Sequence, residues 1–404
     1  MKKTNKSGKL FIILPGLLRT SSPLAGLDLQ NMLLTGLTLL FLLLYAALIG
    51  YYHTGWKRLP AYEPGDLPPG GFVTVVVPAR NESARLRPLL QALKEQRFEA
   101  ARFEVILVDD YSTDDTVAQA QAAGLAQLKI IRPQVPPALS SKKKAIEAAV
   151  REARGELIVC TDADCLPGAD WLRTVYAFYR ERQAAFIAAP VQYRHTGTML
   201  SLFQCLDFMT LQGITAAGVH RQFHTMCNGA NLAYTKAAFE AVNGFEGIDR
   251  LASGDDMLLM HKIWKQHRDR VWYLKSEAAI VRTAPMQSWK AFFSQRIRWA
   301  SKSGAYDDHR ITAVLVFIYL LNALFIVLLV QALRQPPYWW LAAGYLAGKT
   351  LIELPFVASV ARFYREQRLL KYFPFFQPLH ILYTVVIGLL SQTGTYEWKG
   401  RRTK

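Results

Sequence analysis

Asp162 and Asp164 flank one alanine at the end of an extended apolar run, Leu157 to Cys160, and a strand period of two puts both carboxylates on one face. Two hard oxygen ligands on one side suit Mg²⁺ or Mn²⁺, which keeps its other positions for water and a substrate phosphate. Farther on, Gly254, Asp255 and Asp256 precede the apolar run Met257 to Met260. An acid there either caps a helix or acts as a general base toward an attacking hydroxyl. Lys142, Lys143 and Lys144 open a helix and read either as nucleotide contacts or as a solvated basic turn. Gln295, Arg296, Ile297, Arg298 and Trp299 lie where Trp289, Phe293, Ile297 and Ala300 recur at helical spacing. That stripe, with Lys290, Arg296 and Lys302 elsewhere on the helix, describes an element lying along a membrane surface.

The elements that must position these groups alternate. Phe72–Val77, Phe103–Val108, Leu128–Ile131 and Leu157–Cys160 read as strands, and Ser83–Gln96, Asp115–Ala123, Lys142–Ala153 and Trp171–Arg182 as helices. This rhythm predicts an α/β domain with a mostly parallel sheet and helices on both faces. Ligands gather beyond the carboxyl ends of such strands, where Pro78 to Glu82, Asp109 with Asp110, and Asp162 with Asp164 all fall. Helix capping accounts for Asp114 and extends to Asp110, but not to Asp162 and Asp164 together. The region holds neither a GxxxxGK[ST] loop nor a GxGxxG fingerprint, so a phosphate would have to be bound by another logic.

Around this body the chain is apolar and basic. Of 404 residues, 51% are hydrophobic and 20% charged, mean hydropathy is +0.09 and net charge is +17. Disorder and a plain cytosolic enzyme are disfavoured. The surplus of lysine and arginine suits polyanions, and with no nucleic-acid module in the chain an anionic membrane surface is the expected partner. Residues 32–51 and 311–330 are twenty-residue apolar stretches, long enough to cross about 30 Å of hydrocarbon. Residues 338–360 form a third candidate span, with Lys349 and Glu353 one turn apart and able to pair. Residues 373–390, with Pro374 and Pro378, form a fourth that is transmembrane or re-entrant. Residues 1–31 read as a basic leader, residues 60–284 as the catalytic domain and 285–304 as the interfacial helix. Arg362, Arg365, Arg368 and Lys371 against a lone Arg334 put the loop after the third span, and the large domain, on the cytoplasmic side of an inner membrane. Four cysteines without a CxxC pair fit reduced thiols. His220 and His224 are read on an interfacial helix, and Leu202 to Gly218 as an amphipathic one beside the acceptor entrance.

Taken in order, the Pro78–Glu82 segment, Asp109-Asp110, Asp162-Ala163-Asp164, Gly254-Asp255-Asp256 and Gln295-Arg296-Ile297-Arg298-Trp299, flanked by apolar spans, resemble a membrane-bound family 2 glycosyltransferase. The resemblance covers about residues 71–302 and implies a Rossmann-like GT-A fold, a nucleotide-sugar donor, usually a UDP-sugar, an inverting transfer and a divalent cation. It implies that Pro78, Arg80 and Glu82 with Asp109 and Asp110 line the nucleotide pocket, with Lys142 near the nucleotide. Asp162 and Asp164 would hold the metal. Gly229 and Asn231 would lie beside the donor sugar, and Asp256 would be the base, with Arg298 on the leaving diphosphate, Trp299 toward the acceptor and Gln295 a further catalytic residue of the same motif. Asp255 departs from the family pattern and leaves open which carboxylate is the base. A membrane lipid is the expected acceptor, and the alternatives are a processive polysaccharide synthase or a non-catalytic nucleotide-sugar-binding scaffold.

Overall fold

The computed structural model describes residues 23–136, 141–249, 254–301, 308–391, 396–398 and 401–403. Most of the expected basic leader, together with Lys302, Lys399 and Lys404, lies outside the described residues.

Strands form where β-branched and aliphatic residues run together. Those of the globular part are Val73–Ala79 (β1), Phe103–Asp109 (β2), Leu128–Ile131 (β3), Leu157–Cys160 (β4), Leu166–Pro167 (β5), Phe186–Ala188 (β6), Val191–Tyr193 (β7), Leu232–Thr235 (β8), Val271–Tyr273 (β9) and Val281–Thr283 (β10). Seven of them make one sheet in the order β3-β2-β1-β4-β8-β6-β9, and β5-β10-β7 make a smaller one. The large sheet is parallel from β3 through β4, antiparallel on both sides of β8, and parallel again between β6 and β9. Every residue of β2 and β4 is buried, as a sheet covered on both faces requires.

The helices of the globular part are Ser83–Lys94 (α2), Thr116–Ala122 (α3), Lys142–Glu152 (α4), Trp171–Arg182 (α5), Met199–His220 (α6), Lys236–Ala241 (α7), Met257–Gln266 (α8) and Trp289–Ala300 (α9). They are preceded by Pro23–Arg58 (α1) and followed by His309–Arg334 (α10), Tyr338–Phe363 (α11) and Phe373–Leu390 (α12). By length and composition four helical segments could cross a membrane: Asn31–Arg58, His309–Arg334, Tyr338–Phe363 and Gln367–Leu390. Each contains one of the expected spans. The Lys349–Glu353 pair closes at 2.5 Å and recruits Gln377 and the Tyr45 hydroxyl. Charges inside a bundle are tolerated when paired in this way. Exposed Trp339 and Trp340 stand at the start of α11, where an aromatic girdle belongs. The loop after α11 packs on the globular part, where Arg365 meets Glu277 at 2.6 Å and Gln192 donates to Glu366 at 3.0 Å.

One helix, α6, differs from expectation in two ways. α6 is buried nearly all round rather than amphipathic, because it packs against α1, α11 and β7 at once. It ends at His220, so His224 is not on a helix but folds back over Gly218. There its Nε2 lies 3.0 Å from the Tyr52 hydroxyl, and burial pushes its pKa down to about 4. A Cβ at position 218 would stand 2.1 Å from the His224 ring. Gly218→Ala is therefore expected to lower stability by about 1–3 kcal/mol, read by thermal unfolding in detergent.

Candidate active site

The site is assembled by strand register. β1 and β2 pair to their last residues, Ala79 with Asp109, whereas β4 stops level with Val76. Beyond Cys160 a last backbone bond runs from Thr161 N–H to the Val76 carbonyl at 3.2 Å, and the Thr161 hydroxyl donates to the Ala230 carbonyl at 2.9 Å. Asp162 and Asp164 therefore sit in a turn, closed by Cys165 N–H on the Asp162 carbonyl at 3.1 Å, and not on one face of a strand. The turn nonetheless aims both into the same space. Asp162 accepts from Lys142 Nζ at 2.7 Å, and Asp164 lies 3.5 Å from Arg85, which also pairs with Glu82 at 2.9 Å.

A cavity of about 1290 Å³ opens over these ends. Its walls include Pro78, Arg80, Glu82, Asp110, Lys142, Asp162, Asp164, Gly229, Asp255, Asp256, Gln295, Arg298 and Trp299. Residues far apart in the chain thus share one chamber, which continues along α10 and α12 past Ile311, Leu315, Tyr383 and Ile387. Arg80 donates to the Asp110 carbonyl at 2.6 Å, tying the ends of β1 and β2 together. Asn81 holds the adjoining loop in a left-handed turn (φ 54°), its Oδ1 accepting Thr113 N–H at 2.8 Å.

Asp109 and Asn231 lie behind the cavity rather than in its wall. Asp109 is fully buried, accepting Ser112 N–H at 3.0 Å and pairing with Arg132 at 2.8 Å. Asn231 donates to the carbonyls of Pro190 (2.7 Å) and Ala279 (2.8 Å) and accepts from Trp171 Nε1 (3.0 Å), which engages both ends of its amide. Both residues buttress the loops that carry their neighbours.

On the far wall Asp256 begins α8. Its Oδ1 accepts Met257 N–H at 2.8 Å and its Oδ2 accepts Gly229 N–H at 3.1 Å, so the capping reading holds while the half-buried carboxylate still faces the cavity. Asp255 points to Lys142 instead, at 3.1 Å. Burial alone would lower the Lys142 pKa, but the carboxylates of Asp162, Asp255 and Asp256 outweigh it and hold the ammonium well above the usual lysine range.

α9 overturns the surface-helix expectation at one position. Its most buried residues are Phe292 and Arg296, not the Trp289-Phe293-Ile297 stripe. Arg296 reaches Asp207 on α6 at 2.6 Å, and Asp207 also accepts the Tyr383 hydroxyl of α12 at 2.6 Å. The same guanidinium stacks 4.3 Å from the Trp299 ring, so Arg296 fixes the aromatic that borders the cavity. Gln295 lies 3.5 Å from the Tyr193 hydroxyl, and Arg298 opens on the cavity. Asp207, Arg85 and Tyr193 were not singled out in the sequence. Only Arg85 leaves a local signal, three residues after Glu82 on a helix.

Among the described residues no three His, Cys, Asp or Glu side chains gather in metal-holding geometry. Asp162 and Asp164 are partly exposed hard donors, so the pair fits a cation that takes its other ligands from water and a diphosphate. None of the four cysteines is joined in a disulfide.

A mainly parallel sheet whose strand ends deliver acids to a single cleft, joined to long apolar helices, defines the Rossmann-like GT-A fold class. Residues 68–302 match the family Glycosyltransferase like family 2, and the chain belongs to that family. It is 24% identical over 257 residues to the probable glycosyltransferase YdaM of Bacillus subtilis, which covers 62% of this chain and 59% of that protein. It is 32% identical over 124 residues to the beta-monoglucosyldiacylglycerol synthase of a Nostoc species, covering 30% of this chain and 26% of that one. The matches span less than two thirds of either relative. The mannosyltransferase PcManGT of Pyrobaculum calidifontis, solved with GDP-Man and Mn²⁺, has a similar fold, with a TM-score of 0.54 at 19% identity over 88% of this chain and 99% of that one.

Proposed function

We propose that the chain moves a sugar from a UDP-sugar to a membrane lipid, with inversion at the anomeric carbon, and requires Mg²⁺ or Mn²⁺. The observation that carries this reading is the shared cavity, which begins at the acids of the strand ends and continues between apolar helices. Pro78, Arg80, Glu82 and Asp110 would border the nucleoside, and Gly229 would let the donor sugar lie against the backbone. Asp162 and Asp164 would hold the cation, which supplies charge neutralisation on the diphosphate.

The acceptor hydroxyl attacks the anomeric carbon, the bond from that carbon to the diphosphate breaks, and the proton passes to Asp256. Asp255 is the poorer candidate for base because Lys142 already pairs with it at 3.1 Å. Arg298 neutralises charge growing on the departing diphosphate, and Trp299 offers an aromatic surface to the acceptor. Placement of the globular part on the cytoplasmic side of an inner membrane is supported by its contact with the basic loop after α11.

Mass spectrometry of products made from UDP-glucose, UDP-galactose, UDP-N-acetylglucosamine and GDP-mannose with native lipid extract tests the proposal. A discrete glycolipid is expected. A ladder of polymers would move the chain to the polysaccharide synthases, and no sugar-dependent nucleotide release with any donor would leave a binding scaffold. Chelation by EDTA is expected to lower turnover at least about a hundredfold, with recovery on adding Mn²⁺. In the same assay Asp164→Ala should raise the Mn²⁺ concentration needed for half-maximal rate.

A further inference from the structure

Lys142 is the first residue of α4, a helix capped by Ser141, whose hydroxyl accepts Lys144 N–H at 3.3 Å. Its ammonium does not lie along the outer rim. It stands between two carboxylates from opposite walls: Asp162, in the turn after β4, at 2.7 Å, and Asp255, ahead of α8, at 3.1 Å. Gly229 closes the third side so tightly that a Cβ there would lie 2.9 Å from Nζ, 3.4 Å from Asp255 Oδ2 and 3.6 Å from Asp256 Oδ2. The lysine side chain is only 19% exposed. Without it, acids from both walls would face one another across the cleft in mutual repulsion.

Asp162 is also one of the two carboxylates assigned above to the divalent ion. An ammonium and a divalent cation compete for the same carboxylate oxygens and repel each other at close range. In the donor-free protein an incoming ion would meet Asp164, water and an Asp162 already occupied by Lys142. A diphosphate changes that balance twice over. Its oxygens complete the ion's shell, and they give the lysine another anion to approach.

We infer that Lys142 is a built-in counter-cation that bridges Asp162 and Asp255 while the donor is absent, so that the divalent ion enters with the nucleotide diphosphate and not ahead of it. The inference rests on the metal-using reading of the site. It assigns Lys142 a role in binding order that mere proximity to the nucleotide would not give it.

The test is a titration of the full chain in detergent with Mn²⁺ alone, following free Mn²⁺ by electron paramagnetic resonance, and then the same titration with UDP present. Lys142→Met keeps length and removes charge. Relief of a like-charge contact is expected to tighten nucleotide-free Mn²⁺ binding at least about tenfold. The gain in Mn²⁺ affinity on adding UDP should shrink by a similar factor. Lys142→Arg, which keeps the charge, should behave as the wild type in both titrations.

The inference is overturned if Lys142→Met binds Mn²⁺ alone no tighter than the wild type, if neither binds it, or if Lys142→Arg gains as much as Lys142→Met. Should the methionine variant lack a cooperative melt, Lys142→Gln takes its place with the same expectation. The nucleotide-free arm does not depend on transfer, so a chain inactive toward every nucleotide sugar would sink the functional reading while leaving this result to be read. Normal transfer with an unchanged Mn²⁺ affinity in Lys142→Met would sink this inference alone.

Discussion

Asp256→Asn is expected to lower the rate of sugar transfer by about 10²–10⁴-fold while leaving nucleotide binding nearly as it was. The geometry makes this substitution informative. Asp256 caps α8 through Oδ1 on Met257 N–H, and an asparagine oxygen makes the same bond. What is lost is the carboxylate that can take a proton, together with the charged acceptor for Gly229 N–H, a bond worth roughly 1.5–3 kcal/mol. Asp255→Asn provides the contrast. It removes a partner of Lys142 and not the group proposed to face the acceptor, so its loss of rate should be much the smaller. Single-turnover measurements with saturating donor, alongside UDP binding by each variant, separate the two effects. If Asp255→Asn is the dead variant and Asp256→Asn turns over, the assignment of the base must be exchanged.

Local patterns carried most of the fold. β2 and β3 were legible to within one residue at each end, because unbroken aliphatic runs bounded by polar residues have few other structures open to them. Acids placed just past strand ends were legible as a cleft for the same reason, since strand direction fixes where those ends meet. Two kinds of information were not local. Asp109 and Asn231 belong to the same sequence segments as residues that line the cavity, yet they hold the loops from behind, and only the three-dimensional neighbours Arg132, Trp171 and Pro190 reveal it. Arg296 is the sharper case. Helical periodicity put it on the polar side of α9, where an arginine is unremarkable. Its burial depends on Asp207, 89 residues earlier, in a helix whose own pattern suggested a solvent-facing side. Pairing between distant charges has no period, and so it leaves no trace in a window of sequence.

That pair gives the second large expectation. Asp207 and Arg296 are only 3% and 4% exposed, and Asp207 also accepts the Tyr383 hydroxyl and lies 3.7 Å from His380 Nε2. Breaking a buried pair on one side leaves an uncompensated charge, so Asp207→Ala should destabilise the protein by about 3–5 kcal/mol, read by denaturant unfolding in detergent. Replacing both members by apolar groups of similar volume, Asp207→Leu with Arg296→Met, removes the stranded charge and should recover most of that loss. Activity should not recover with it. The guanidinium that stacks on Trp299 is absent from the double variant, and α9 is no longer tied to α6 and α12 at this point. A folded double variant with lowered kcat/KM for the acceptor would show that the pair exists to place the Trp299 ring at the cavity, beyond any contribution to stability. Full transfer by the double variant would mean that apolar packing alone holds α9 in position and that the charges serve only the fold.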